Sequence, residues 1–160
     1  MLRKLLLSGA LVLLPVAAQA ATAVTSAGPR FGVSISPDQF VFGGQLAIQE
    51  FAPNWSFHPS FELGVGDDQT VIAPNFDVYY RLHLAGSEWQ PYVGGGIGLA
   101  FVSEDRPFPY RDRNETGVGL NAVFGFNIPT NSGNQWFTEL RLGIGDIPSL
   151  KVMGGFNFKM

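Results

Sequence analysis

Apolar and polar residues alternate along most of this chain with a period of two. From Trp55 one set of positions reads Trp55, Phe57, Pro59, Phe61, Leu63 and Val65, and the set between them reads Ser56, His58, Ser60, Glu62, Gly64 and Gly66. Successive side chains of a strand point to opposite faces, so this run is a ribbon with one greasy face and one polar or small face. The pattern recurs from Ile72 to Leu84, Val118 to Ile128, Trp136 to Ile144 and Leu150 to Met160. Shorter runs near Arg30 to Ser36 and Phe40 to Glu50 precede these, and Gln90 to Phe101 adds one more. Eight strands follow, joined by clusters of Pro, Gly, Asn, Asp and Ser.

Several runs reach about ten residues, longer than the five or six of an ordinary soluble strand and matched to the nine to eleven that cross a bilayer at a tilt. The pattern therefore predicts an all-β fold: an eight-stranded antiparallel up-and-down transmembrane β-barrel. An even strand number lets both chain ends lie on one side. With those ends in the periplasm, "FAPN", "AGSE" and "PTNSGN" are the inner turns, and the longest and most charged connection, Ser103 to Glu115, falls outside with "SPDQ", "GDDQT" and "GDIPS". Trp55, Trp89, Trp136 and Tyr80 are expected at the two membrane interfaces as an aromatic girdle.

The strand "QPYVGGGIGLAF" is an anomaly, because glycine inside a strand gives up packing and costs backbone entropy. Its glycines Gly94, Gly96 and Gly98 share the parity that is polar and charged in the other strands. The interior of an eight-stranded barrel is only wide enough for side chains to fill it, so one wall must be thin where another projects long residues. Glu62, Asp77, Arg81, Glu139, Arg141 and Lys151 lie on the inward parity, three acids and three bases, and are expected to form a charge network in the barrel interior, because buried charges must be paired. Pro59 and Pro74 each remove a ladder donor, and local bulges or later strand starts are expected there.

The first twenty residues follow another logic. Arg3 and Lys4, the apolar run Leu5 to Ala17 and the small-x-small Ala18-Gln19-Ala20 read as a cleavable signal peptide over 1–20, with the barrel domain over 21–160. Without Arg3 and Lys4, eight basic residues face thirteen acidic ones, a formal charge of about −5 with no basic patch, which argues against nucleic acid as a partner. The chain has no cysteine, so thiolate metal and redox sites are excluded. No cofactor is expected.

The signal-like start, the eight alternating strands, "PYVGGGIGLAF" after the short "AGSEWQ" turn and the terminus "GGFNFKM" together give a chain that resembles the small outer-membrane β-barrels of the OmpA/OmpX type over its whole mature length. The resemblance implies a bacterial outer-membrane location, outer-membrane lipids and lipopolysaccharide as neighbours, and the barrel-assembly machinery as a partner in biogenesis. Such barrels end on an aromatic residue that this machinery reads. Here Phe158-Lys159-Met160 closes the chain, with Phe158 and Met160 keeping the outward parity.

Candidate chemistry is sparse. In "HPSFE", His58, Ser60 and Glu62 project from one face in the outline of an activated nucleophile. Outer-membrane lipid A deacylases resemble it in barrel size and a His-x-Ser element, but theirs lies late in the chain, continues with Asn and faces lipid. Asp67-Asp68 lacks the spaced ligand series of a calcium loop, and His83 has no second ligand near it in sequence. The connection "SEDRPFPYRDRNE" interleaves Arg106, Arg111 and Arg113 with Phe108 and Tyr110, a mixture suited to phosphates and sugars or to a protein surface. The expected function is a structural or surface-interaction role in the envelope, with a side-chain-plugged lumen and no enzymatic activity. The alternatives are a lipid A-modifying hydrolase, a soluble lipocalin-like carrier of apolar ligands, and a narrow channel.

Overall fold

The computed structural model of the chain describes residues 24–66, 69–104 and 113–160. Every regular element among them is a strand: β1 Val24–Ile35, β2 Gln39–Ala52, β3 Trp55–Gly66, β4 Gln69–Arg81, β5 Gln90–Glu104, β6 Arg113–Pro129, β7 Gln135–Gly145 and β8 Leu150–Lys159. Each pairs antiparallel with its chain neighbour, and β1 pairs with β8, so the sheet closes into a barrel with no free edge. The residues of the signal-like segment, 1–20, lie outside those described.

The start of β1, the end of β8 and the short connections at 53–54, 82–89 and 130–134 gather at one rim, the terminal end; the connections at 36–38 and 146–149 lie at the other, the loop end, with the last residues of β3 and β5 and the first of β4 and β6. The two-residue turn Pro53-Asn54 uses a left-handed residue (Asn54, φ 68°) of the type that tolerates it. In the 130–134 turn, Gly133 has φ 80° and its N–H donates to the Thr130 carbonyl at 3.0 Å.

The prolines are accommodated differently from the sequence expectation. Pro59 stands opposite Phe76, and Pro74 opposite Phe61, in a β3–β4 ladder whose register runs without a shift from Trp55↔Tyr80 to Gly66↔Gln69. Each proline instead faces a gap in the ladder on its other side. The β2–β3 pairing passes from Gln45↔Ser60 to Ile48↔Phe57 around Pro59, and the β4–β5 pairing from Ile72↔Phe101 to Asn75↔Gly98 around Pro74, both at constant offset. The missing N–H therefore removes a local bond without moving the register. The irregularities fall elsewhere, between Val24 and Ser26 and between Ile48 and Ala52.

Period two sorts the side chains by face. Phe31, Phe42, Phe61, Ile72, Ile97, Leu120, Phe124 and Leu140 all point outward and are exposed, whereas Arg30, Glu62, Asp77, Glu139, Arg141 and Lys151 are at most 3% exposed. This is the inverse of a water-soluble barrel. The four aromatics expected at both interfaces, Trp55, Tyr80, Trp89 and Trp136, fall on one side. Trp55, Trp89 and Trp136 all sit at the terminal end, where Trp55 meets Tyr80 at 5.0 Å, Trp89 meets Phe126 at 6.1 Å and Trp136 meets Phe156 at 4.7 Å between ring centroids. Towards the loop end Phe40 points outward and is 76% exposed, with Phe42 and Phe101 exposed two residues below it.

Candidate functional site in the barrel interior

The glycine-rich β5 is a thin wall with long residues lying against it. A Cβ on Gly94 would fall on the Tyr79 ring, one on Gly96 would lie 2.6 Å from Asp77 Oδ1, and one on Gly98 3.0 Å from Asn75 Oδ1. The same accommodation occurs between paired neighbours: Gly125 on β6 makes room for Tyr92 opposite it on β5, and Gly155 on β8 for Phe137 opposite it on β7.

The space is filled by an ionic cluster at mid-height. Glu139 on β7 is the hub: it pairs with Arg30, accepts from Arg141 Nη1 at 3.0 Å, and takes the Tyr79 and Tyr92 hydroxyls at 3.2 and 2.9 Å. Arg141 also pairs with Asp77, and Lys151 with Glu62. Arg30 Nε lies 3.2 Å from Glu62 Oε1, Arg30 Nη1 donates to Gln45 at 2.9 Å, and its guanidinium carbon sits 5.9 Å from the Phe137 ring centroid. Asn121 donates to Asn75 at 3.0 Å and to Asp77 at 3.4 Å. Three cations and three anions cancel, and every strand contributes at least one residue.

Five of the six charged residues singled out in the sequence meet here. Arg81 does not join them. It lies at the terminal rim, 40% exposed, paired with Glu50 at 3.0 Å. The third interior cation is Arg30, which sequence reasoning missed. Its signal was parity: Gly28, Arg30, Gly32 and Ser34 form the small, polar face of β1. Because exposed ion pairs contribute about 0–1 kcal/mol, Arg81→Ala is expected to leave the urea unfolding midpoint nearly unchanged in phospholipid vesicles.

Towards the loop end the filling becomes apolar. Val71, Ala73 and Ala100 pack together with Val102 and with Ile147, which enters from the β7–β8 connection. Ile147 fits because three strands are bare around it: Cβ atoms on Gly98, Gly119 and Gly143 would lie 3.3, 2.7 and 3.0 Å from its side-chain carbons.

Towards the terminal end the interior opens instead into a cavity of about 640 Å³ bordered by Gln45, Ser56, His58, Asn127, Gln135 and Asn157, with Glu50, Arg81 and Lys159 at its mouth. His58, Tyr79 and Tyr92 form a ring stack along its wall, with centroids 4.2 and 4.8 Å apart. His58 Nε2 is hydrogen-bonded to Ser56 Oγ at 2.9 Å, and its buried Nδ1 has no partner. The sequence trio therefore does not assemble: Ser60 is buried beside Asn75 at 3.5 Å, and Glu62 belongs to the ionic cluster.

Among the described residues no three His, Asp or Glu side chains converge as metal ligands. Asp67 and Asp68 lie outside the described residues, and His83 is exposed in the 82–89 connection. Of the long-loop residues, Arg106, Phe108, Tyr110 and Arg111 lie outside the described residues, and Arg113 opens β6 opposite Glu104.

No protein-family model matches the chain. Among solved structures, the N-terminal β-barrel domain of Pseudomonas aeruginosa OprF aligns with a TM-score of 0.66 at 13% identity, covering 85% of this chain and 99% of that one. Neisserial surface protein A, NspA, aligns with a TM-score of 0.66 at 14% identity over 86% of this chain and 96% of its own. The outer membrane enzyme PagL aligns at 0.50 and 10% identity, over 84% and 99%. At these identities the likeness is one of fold: the chain is a closed, eight-stranded antiparallel barrel of the architecture that these small outer-membrane proteins share.

Proposed function

We propose that this barrel resides in the outer membrane of a Gram-negative bacterium, delivered there by residues 1–20 as a cleaved signal, and has a structural or surface-interaction role without catalysis. The observation that carries this reading is the inversion of faces. A wall of exposed Phe, Leu, Ile and Val surrounds a buried set of ions. Lipid is the solvent that tolerates such a surface, and closure satisfies the backbone groups that lipid cannot.

The lumen is read as plugged. The mid-height ion cluster and the apolar layer around Ile147 lie in series along the axis. Such an interior suits a scaffold better than a diffusion pore. A lipid A hydrolase would need its nucleophile against acyl chains, whereas Ser56, His58 and Ser60 share the inward parity. A carrier of apolar ligands would turn its greasy parity inward. The reading assigns the terminal end to the periplasm and the Ser103 to Glu115 connection to the cell surface, where Arg106, Arg111 and Arg113 with Phe108 and Tyr110 would meet lipopolysaccharide phosphates and sugars. It also makes the barrel-assembly machinery the partner that inserts the chain.

Leu120 and Phe126 decide the orientation of the faces. Fluorophores attached through cysteines placed at both positions are expected to be quenched by lipid-borne spin labels, and the protein to fractionate with the outer membrane and show heat-modifiable mobility. Leu120→Arg is expected to cost about 2–4 kcal/mol in vesicle unfolding, the penalty for a cation on a lipid-facing site near the midplane. Labels shielded from lipid, or a chain that stays dissolved without detergent, would overturn the reading in favour of a carrier.

A further inference from the structure

The terminal-end cavity is a candidate site that the scaffold role does not use. At about 640 Å³ it lies within the roughly 300–1,000 Å³ range of small-molecule sites. Its chemistry is specific. The cluster below it is charge-balanced and internally committed, and at its mouth Arg81 is held by Glu50 at 3.0 Å, leaving Lys159 at the rim. An anion entering the cavity meets no uncommitted cation at depth. What it meets is amide: Asn127, Gln135 and the amide N–H groups of Asn157, whose Oδ1 accepts from Gln45, beside the outermost ring of the His58–Tyr79–Tyr92 stack.

We infer that this cavity binds a neutral saccharide of one or two rings, seated with an apolar C–H face against the His58 ring and its hydroxyls on the amide wall. His58 borders the cavity, and its Nδ1, buried and without a partner, is the polar atom that a small ring movement would offer to a sugar hydroxyl. If Nε2 accepts from Ser56 Oγ, then Nδ1 carries the proton and donates; if Nε2 donates, Nδ1 accepts. A sugar hydroxyl, donor and acceptor at once, satisfies either tautomer, as a carboxylate, which only accepts, does not. The binding claim stands on the cavity alone; that the sugar arrives from the periplasm rests on the membrane reading above.

The test uses the full chain, isotope-labelled, in phospholipid nanodiscs free of sugar detergents, titrated separately with N-acetylglucosamine, maltose and inorganic phosphate. Saturable shifts of the His58 ring and of the Asn127 and Asn157 side-chain amides with at least one saccharide are expected, weakened at least about tenfold by His58→Phe, which keeps a ring in the stack. Asn127→Ala, remote from the stack, provides a second variant with the same expected direction, and heat-modifiable mobility checks that each variant is folded. Saturation by phosphate and by neither sugar would overturn the inference. So would linear, unsaturable shifts with all three probes, or saccharide binding unaffected by both substitutions. Failure of the lipid-quenching experiment with saccharide binding intact would strike the membrane reading alone.

Discussion

Arg141→Leu is expected to destabilise the barrel by about 3–5 kcal/mol, the usual cost of deleting one member of a buried charge pair. Arg141 is fully buried between Asp77 and Glu139. Without it Glu139 keeps Arg30 and two tyrosine hydroxyls, but Asp77 keeps only the Asn121 amide at 3.4 Å. The loss therefore concentrates on Asp77. It follows that Arg141→Leu combined with Asp77→Leu should recover most of the stability, because burying two apolar groups costs less than burying one orphaned carboxylate. Urea unfolding in phospholipid vesicles, followed by tryptophan fluorescence, reads both values. A wild-type midpoint for the single variant would show that the cluster is hydrated or rearranged and is no dry network.

Gly94→Val is expected to cost about 3 kcal/mol, towards the upper end of overpacking effects, and to reduce the yield of heat-modifiable folded protein. The new Cβ would fall on the Tyr79 ring and 2.6 Å from the Val78 carbonyl oxygen, and neither yields easily: the ring is clamped between His58 and Tyr92, and the oxygen belongs to the ladder. Gly44 and Gly154 are the controls. They lie on the outward parity, where an added Cβ would have its nearest neighbour at 3.7 and 3.5 Å, so Gly44→Ala and Gly154→Ala should behave as wild type. Equal damage at all three positions would mean that backbone freedom, and not interior space, explains these glycines.

This contrast also shows what alternation makes legible and what it does not. Parity assigns a face without any tertiary knowledge, which is why Glu62, Asp77, Glu139, Arg141 and Lys151 could be placed inside together. Parity carries no height. Arg81 shares a face with Asp77 but stands four residues further along β4, about 13 Å at the usual strand rise, which carries it out of the cluster to the rim. Height relative to other strands is set by register around the closed sheet, and register depends on turn geometry and stagger that one strand's pattern does not encode. The same gap explains the tryptophans. Trp55 opens β3, Trp136 is the second residue of β7 and Trp89 immediately precedes β5, so all three mark strands starting from the terminal end, which shows only once the eight strands are laid side by side. Ile147 was illegible for a further reason: it sits in a connection, and its place in the interior is defined by glycines on β5, β6 and β7.

The distribution of charge among the strands bears on assembly. The acids of β3 and β4, Glu62 and Asp77, find their counterions on β1, β7 and β8, and Glu139 on β7 reaches back to β1. A partly built sheet thus holds carboxylates whose partners have not yet arrived. Intermediates missing the last hairpin are penalised, and the seam between first and last strand is sealed by the same contacts that neutralise the middle. Closure should accordingly be all-or-none.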